Sequence, residues 1–117
     1  MGRAIVVDDH PAFRASARRL LELTGYEVVG EASDGASGLA LAREQEPELV
    51  LLDIALPDMS GFDVAEELAE SPSAIVLVSS RDQRDLGRRA SESGALGFIP
   101  KDRLSEESLL AVVEPSR

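Results

Sequence analysis

A chain of 117 residues, 44% hydrophobic and 29% charged, has room for one domain with its own buried core. A net charge of -10 excludes a surface built to grip nucleic-acid phosphates, which takes clustered Lys and Arg. With no cysteine there are neither disulfides nor thiolate metal sites, and no apolar stretch is long enough for a signal peptide or a membrane span, so a cytoplasmic location is expected.

Ala4-Ile5-Val6-Val7 is a continuous apolar run, the pattern of a strand covered on both faces, and it ends in Asp8-Asp9. Pro11 opens a first helix, which carries Phe13, Ala17, Leu20 and Leu21 at i, i+4, i+7 and i+8 and ends near Gly25. Val28-Val29 with its flanks gives a second strand. Asp34 is placed to cap a second helix running to about Gln45, before Pro47 forces the chain extended. Leu49-Val50-Leu51-Leu52 forms a third strand and delivers Asp53 to its end, and Gly61 to Glu70 reads as a third helix. Ala74 to Val78 makes a fourth strand ending in Ser79-Ser80, followed by a polar helix from Asp82 or Asp85 to Ser93. A weaker strand from Leu96 to Ile99 leads to Lys101, and Ser105 is placed to cap a last helix holding Leu109, Val112 and Val113.

Five strands alternating with five helices, joined by right-handed crossovers, predict an α/β fold with an open parallel sheet and helices on both faces. The expected strand order is the flavodoxin-like, doubly wound 2-1-3-4-5. In such sheets the working crevice lies beyond the carboxyl ends of the strands, where the order reverses between the first and the third. Asp8, Asp9, Asp53, Ser79 and Lys101, the only lysine among twelve basic residues, all fall at those ends.

Three carboxylates drawn together repel unless a cation shares the site, and a hard divalent ion such as magnesium suits all-oxygen ligands. An aspartate at a strand end can also act as a nucleophile and carry a phosphoryl group as an acyl phosphate, provided positive charge and donors match the phosphoryl oxygens. Lys101 supplies the charge and Ser79 a hydroxyl. Each residue alone has a plainer meaning. A single Asp at a strand end caps a turn, a serine there bonds backbone, and Phe98 is core; His10 could join a metal site with the aspartates, but a sole histidine before Pro11 more often packs half-exposed at the helix start. Asp58 reads as a turn residue.

In order along the chain, Asp8-Asp9, Leu51-Leu52-Asp53-Ile54-Ala55-Leu56-Pro57-Asp58-Met59-Ser60-Gly61, Ser79-Ser80 and Gly94 to Lys101 resemble the receiver domain of bacterial two-component response regulators. The match covers 1–117 as one domain without an output domain. Asp8-Asp9-His10-Pro11, Phe13-Arg14 and Lys101-Asp102 are most similar to the NarL-type subfamily. The resemblance implies that a sensor histidine kinase phosphorylates Asp53. It also implies that Asp9 and Asp53 bind Mg2+ directly, Asp8 chiefly through water, and Ala55 through its carbonyl. Ser79 and Lys101 would bind the phosphoryl oxygens, and Phe98 would be the aromatic switch partner of Ser79. The implied output is a reshaped surface at the fourth helix and fifth strand, read by an output domain or a downstream protein, with a homodimer forming on phosphorylation. Ser79 and Phe98 stand where relatives often have Thr and Tyr. Magnesium phosphatases with an aspartyl nucleophile use a second acid two residues on, and Ala55 at that position argues against steady hydrolysis.

Overall fold

The computed structural model describes residues 2–80 and 86–114. Its elements run β1 (Arg3–Val7), α1 (Pro11–Leu23), β2 (Glu27–Ala32), α2 (Gly35–Gln45), β3 (Leu49–Asp53), α3 (Gly61–Glu67), β4 (Ala74–Ser79), α4 (Leu86–Glu92), β5 (Gly97–Pro100) and α5 (Glu106–Val113). The strands form one sheet in the order β2-β1-β3-β4-β5, with every neighbouring pair parallel. The expected α/β architecture and strand order are both observed. Asp82, Asp85 and Arg81 lie outside the described residues, and with them the start assigned to the fourth helix.

Continuous apolar strands are buried on both sides. On one face Ile5, Val7, Val50, Leu52, Ile75 and Leu77 meet Leu39 and Ala42 of α2, Phe62 and Val64 of α3, and Leu86 and Ala90 of α4. On the other, Ala4, Val6, Leu49, Leu51, Val76 and Val78 meet Ala17 and Leu21 of α1 and Leu109 of α5. Alternate residues of one strand thus serve opposite cores.

The helix ends follow local chemistry. α1 stops two residues before Gly25, whose φ of 99 only glycine adopts readily. Tyr26 N–H donates to the Leu21 carbonyl at 2.9 Å and Gly25 N–H to that of Glu22 at 3.1 Å, a Schellman closure. Asp34 caps α2 as expected, accepting from Ser37 N–H at 2.8 Å, and Ser105 caps α5 in a capping box closed by Ser108. α3 ends at Glu67 rather than Glu70. Pro72 disfavours a helical Ser71, and Ser71 Oγ donates to the Leu68 carbonyl at 2.7 Å, closing the chain into a turn. β2 runs on to Ala32 through a register shift that pairs Ile5 with Gly30.

Candidate functional site

The sheet register brings the polar strand ends together. β3 pairs with β4 up to Asp53 and Val78, and β4 with β5 up to Ser79 and Pro100. Pro100, at the end of an edge strand, needs no ladder donor, and Lys101 behind it opens a short 3-10 turn over Lys101–Arg103. Asp8 is held at the end of β1 by its N–H, which donates to the Ala32 carbonyl at 3.0 Å, and by Arg14 Nη1, which donates to its carbonyl at 2.7 Å. Arg14 and Arg18 also pair with Glu31 at 3.2 and 2.7 Å, fixing α1 against β2 beside the acidic loop.

Asp8, Asp53 and Ser79 are 0%, 2% and 1% exposed, so the site's polar groups are almost wholly removed from water. Lys101 Nζ lies 2.6 Å from Asp8 Oδ2 and 3.5 Å from Asp53 Oδ2, with the face of the Phe13 ring 4.3 Å away. Burial, then the Asp8 charge, pushes the Asp53 carboxyl above the usual carboxylate range, while Lys101 and the Ala55 N–H, 3.3 Å from Asp53 Oδ1, pull the other way. One ammonium therefore serves two buried carboxylates and does not offset burial and the Asp8 charge at Asp53.

Asp8 Oδ2 faces Lys101 as an ion pair but accepts no hydrogen bond of acceptable geometry. One ligand atom from each of Asp8, Asp9, His10 and Asp53 lies within 4.8 Å of the others. A buried oxygen short of donors beside two more carboxylates is the chemistry a hard divalent cation satisfies, so the residues present fit such an ion.

The structure brings Asp8, Asp9, Asp53 and Lys101 into one cluster and places Ser79 on the adjoining strand end. Asp9 is the exposed member, at the rim. Ala55 is exposed and bridges Ser60 across the β3–α3 loop. Phe98 stands outside the cluster, half-buried on β5 opposite Leu77 and packed against the core under α2, α3 and α4. Ser79, Ala55, Met59, Phe62, Leu86 and Arg89 are among the residues lining a groove of about 320 Å³ between that loop and α4.

Two residues matter more than their local sequence suggests. Asp58 is a tether as well as a turn residue: its Oδ1 accepts from Gly35 N–H at 2.7 Å and its Oδ2 from Ala36 N–H at 2.9 Å, across 23 and 22 residues of sequence. It satisfies amides at the α2 start that the Asp34 cap leaves open and holds the β3–α3 loop against that helix. Those donors hold its carboxyl below the usual value of 3.8. A lowered value in the folded state means stabilisation present above the unfolded value and lost as pH falls through the folded one. Asp58→Ala should speed amide exchange at Gly35 and Ala36 by roughly tenfold while amides in the middle of β3 keep their protection. Unchanged exchange at Gly35 would show that the tether does not form in solution.

Gly61 is the second. Its N–H donates to the Ile54 carbonyl at 2.7 Å, and a Cβ there would collide with the Asp53 carbonyl oxygen and stand 2.8 Å from Ile54 Cα. Backbone cannot step aside as a flexible side chain can. Gly61→Ala should cost about 3 kcal/mol in a urea melt, at the upper end for overpacking. A loss below about 1 kcal/mol would mean that the loop adjusts freely.

Comparison with known proteins gives a consistent pattern. The model of the response regulator receiver domain family matches residues 4–114. Among curated relatives, the probable transcriptional regulatory protein NarL of Mycobacterium tuberculosis is 40% identical over 115 residues, covering 96% of this chain and 53% of that protein. A putative transcriptional regulator of Pseudomonas aeruginosa is 35% identical over 113 residues, covering 95% and 55%. The chain thus spans about half the length of the curated relatives it matches. Among solved structures, the signal receiver domain of the putative response regulator NarL from M. tuberculosis superposes with a TM-score of 0.88 at 39% identity, covering 99% of this chain and 98% of that one.

Proposed function

The chain belongs to the response regulator receiver domain family, and we propose that it works as a phosphorylation-driven switch, with Asp53 as acceptor and a sensor histidine kinase as donor. One observation carries the assignment to Asp53: Asp8 and Asp53 are both buried at strand ends beside Lys101, but Asp8 is committed, with Oδ1 accepting from His10 N–H at 2.8 Å and Oδ2 paired with Lys101 at 2.6 Å, whereas Asp53 makes only the longer contacts with Lys101 at 3.5 Å and Ala55 N–H at 3.3 Å.

Asp53 attacks the phosphorus of the kinase's phosphohistidine; an O–P bond forms, the N–P bond breaks, and the leaving imidazole takes up a proton. Lys101 orients Asp53 before transfer and afterwards faces the phosphoryl oxygens together with the Ser79 hydroxyl. Asp9, Asp53 and the Ala55 carbonyl would hold Mg2+, with Asp8 behind them. The bound ion would supply positive charge to the phosphoryl oxygens and relieve repulsion among the aspartates. Asp53 enters as an anion although burial and the Asp8 charge push its value up, so Lys101 serves, and a bound cation would serve, to keep the nucleophile charged. Ala55 provides no acid or base for a hydrolytic water, which suits a switch that holds its phosphoryl group.

Ser79 and Phe98 sit on neighbouring strands, and a Ser79 drawn toward the phosphoryl group would vacate space beside β5 for the ring to enter, reshaping the α4 and β5 surface. In a longer protein an output region would read that surface and regulate transcription, with pairing into a homodimer as a further response. The domain itself touches no DNA. Among the described residues no helix is long and apolar enough to cross a membrane.

The test is incubation with acetyl phosphate with and without magnesium, followed by intact mass and peptide mapping. One hydroxylamine-sensitive phosphoryl group on Asp53, dependent on magnesium, is expected. Phosphate on another residue would overturn the assignment.

A further inference from the structure

We propose that His10 is a fourth protein ligand of this site, so that the domain binds a divalent ion with affinity for imidazole nitrogen, zinc being the example, more tightly than an all-oxygen site would. The inference rests on the metal-binding reading above and extends it to a residue outside the acidic set.

His10 Nδ1 lies 3.1 Å from Asp8 Oδ1 and 3.1 Å from Asp9 Oδ1. Adjacent ligands of an octahedral ion with bonds of about 2.1 Å are about 3.0 Å apart, so these separations match neighbouring positions around one ion. Asp53 completes a group of ligand atoms within 4.8 Å of one another. Asp8 is 0% exposed, and its Oδ2, ion-paired with Lys101 Nζ at 2.6 Å, accepts no hydrogen bond of acceptable geometry, so this buried carboxylate remains short of donors beside the ring. Zinc and other transition ions accept imidazole readily, whereas magnesium prefers oxygen and keeps its waters.

The backbone fixes this placement. His10 N–H donates to Asp8 Oδ1 at 2.8 Å, and Pro11 starts α1 immediately after, so the imidazole leaves the chain beside the acidic pair. The His10 side chain is 66% exposed; without an ion a protonated Nδ1 can hydrogen-bond Asp8 Oδ1 at 3.1 Å, and an ion in the site would select the tautomer with the proton on Nε2, toward water. Its ring caps no amide of α1, so replacing it removes no helix cap.

His10 is the sole histidine of the sequence, which makes the experiment clean. In 15N-labelled protein, long-range proton–nitrogen spectra show one imidazole, and zinc should move the Nδ1 resonance while magnesium leaves it in place. Calorimetry should show zinc affinity falling about tenfold in His10→Ala, with magnesium affinity changed less than about twofold. Amide shifts at Asp9 and Asp53 report occupancy of the site separately. Zinc that shifts those amides without moving Nδ1 would overturn His10 as a ligand and leave the metal site standing. If neither ion shifted them, the metal reading itself would fall, and this inference with it.

Discussion

Asp53→Asn should abolish phosphoryl uptake and yet melt at a higher temperature than the parent in the absence of metal. The first effect follows from removing the nucleophile. The second follows from the electrostatics: burial and the Asp8 charge outweigh Lys101 and raise the Asp53 carboxyl above its usual value. A carboxyl whose folded value exceeds its unfolded value of 3.8 contributes stability below that unfolded value and loses it as pH rises through the folded one. Above that folded value the ionised Asp53 is therefore a liability that the amide lacks, and a gain of a few degrees is expected. The difference between the two proteins should be largest at neutral pH and shrink as the solution is acidified through the raised value, which paired thermal melts in EDTA measure. A mutant that melts lower at pH 7 would mean that the Lys101 pairing outweighs the desolvation of Asp53.

Lys101→Met should be the most damaging change of charge in the molecule. An ion pair on the surface contributes up to about 1 kcal/mol, but removing one partner of a buried pair leaves a charge without compensation and costs about 3 kcal/mol or more. Asp8 keeps its bond from the His10 N–H, whereas Asp53 loses its only ammonium. Adding Asp53→Asn to Lys101→Met should recover part of the loss, because the two residues share one interaction. Urea melts of the two single variants and the double variant form the cycle, and strict additivity would show that Lys101 and Asp53 do not interact.

Much of this was legible from the sequence because its signals are local or periodic. The five apolar runs, the last of them weak, and the α1 stripe announce buried elements, Asp34 and Ser105 act as the caps their positions suggest, and the strand-end aspartates converge because the topology leaves them one crevice. What the sequence hides is long-range and geometric. Asp58 reads as a turn residue since nothing near it shows the open amides of Gly35 and Ala36 waiting 23 and 22 residues upstream. The three residues missing from the end of α3 reflect a competition between helix and turn decided by Ser71 and Pro72, which a run of helix-favouring residues conceals. The closeness of His10 Nδ1 to two carboxylates depends on a backbone direction that Pro11 hints at and only coordinates display.

The solitary lysine carries a consequence of another kind. Apart from the amino terminus, Lys101 is the one primary amine in the sequence, and its side chain is 13% exposed between two carboxylates and an aromatic ring. Any acylating reagent that modifies a side-chain amine of this domain must do so in the crevice between Asp8 and Asp53. Acetyl phosphate is such a reagent as well as a phosphoryl donor, since its carbonyl carbon can acylate an amine while its phosphorus is open to a carboxylate. If Asp53 is the acceptor proposed above, the same small molecule could both phosphorylate the site and block it, and acylation kinetics at this single amine would report how accessible the crevice is to a reagent.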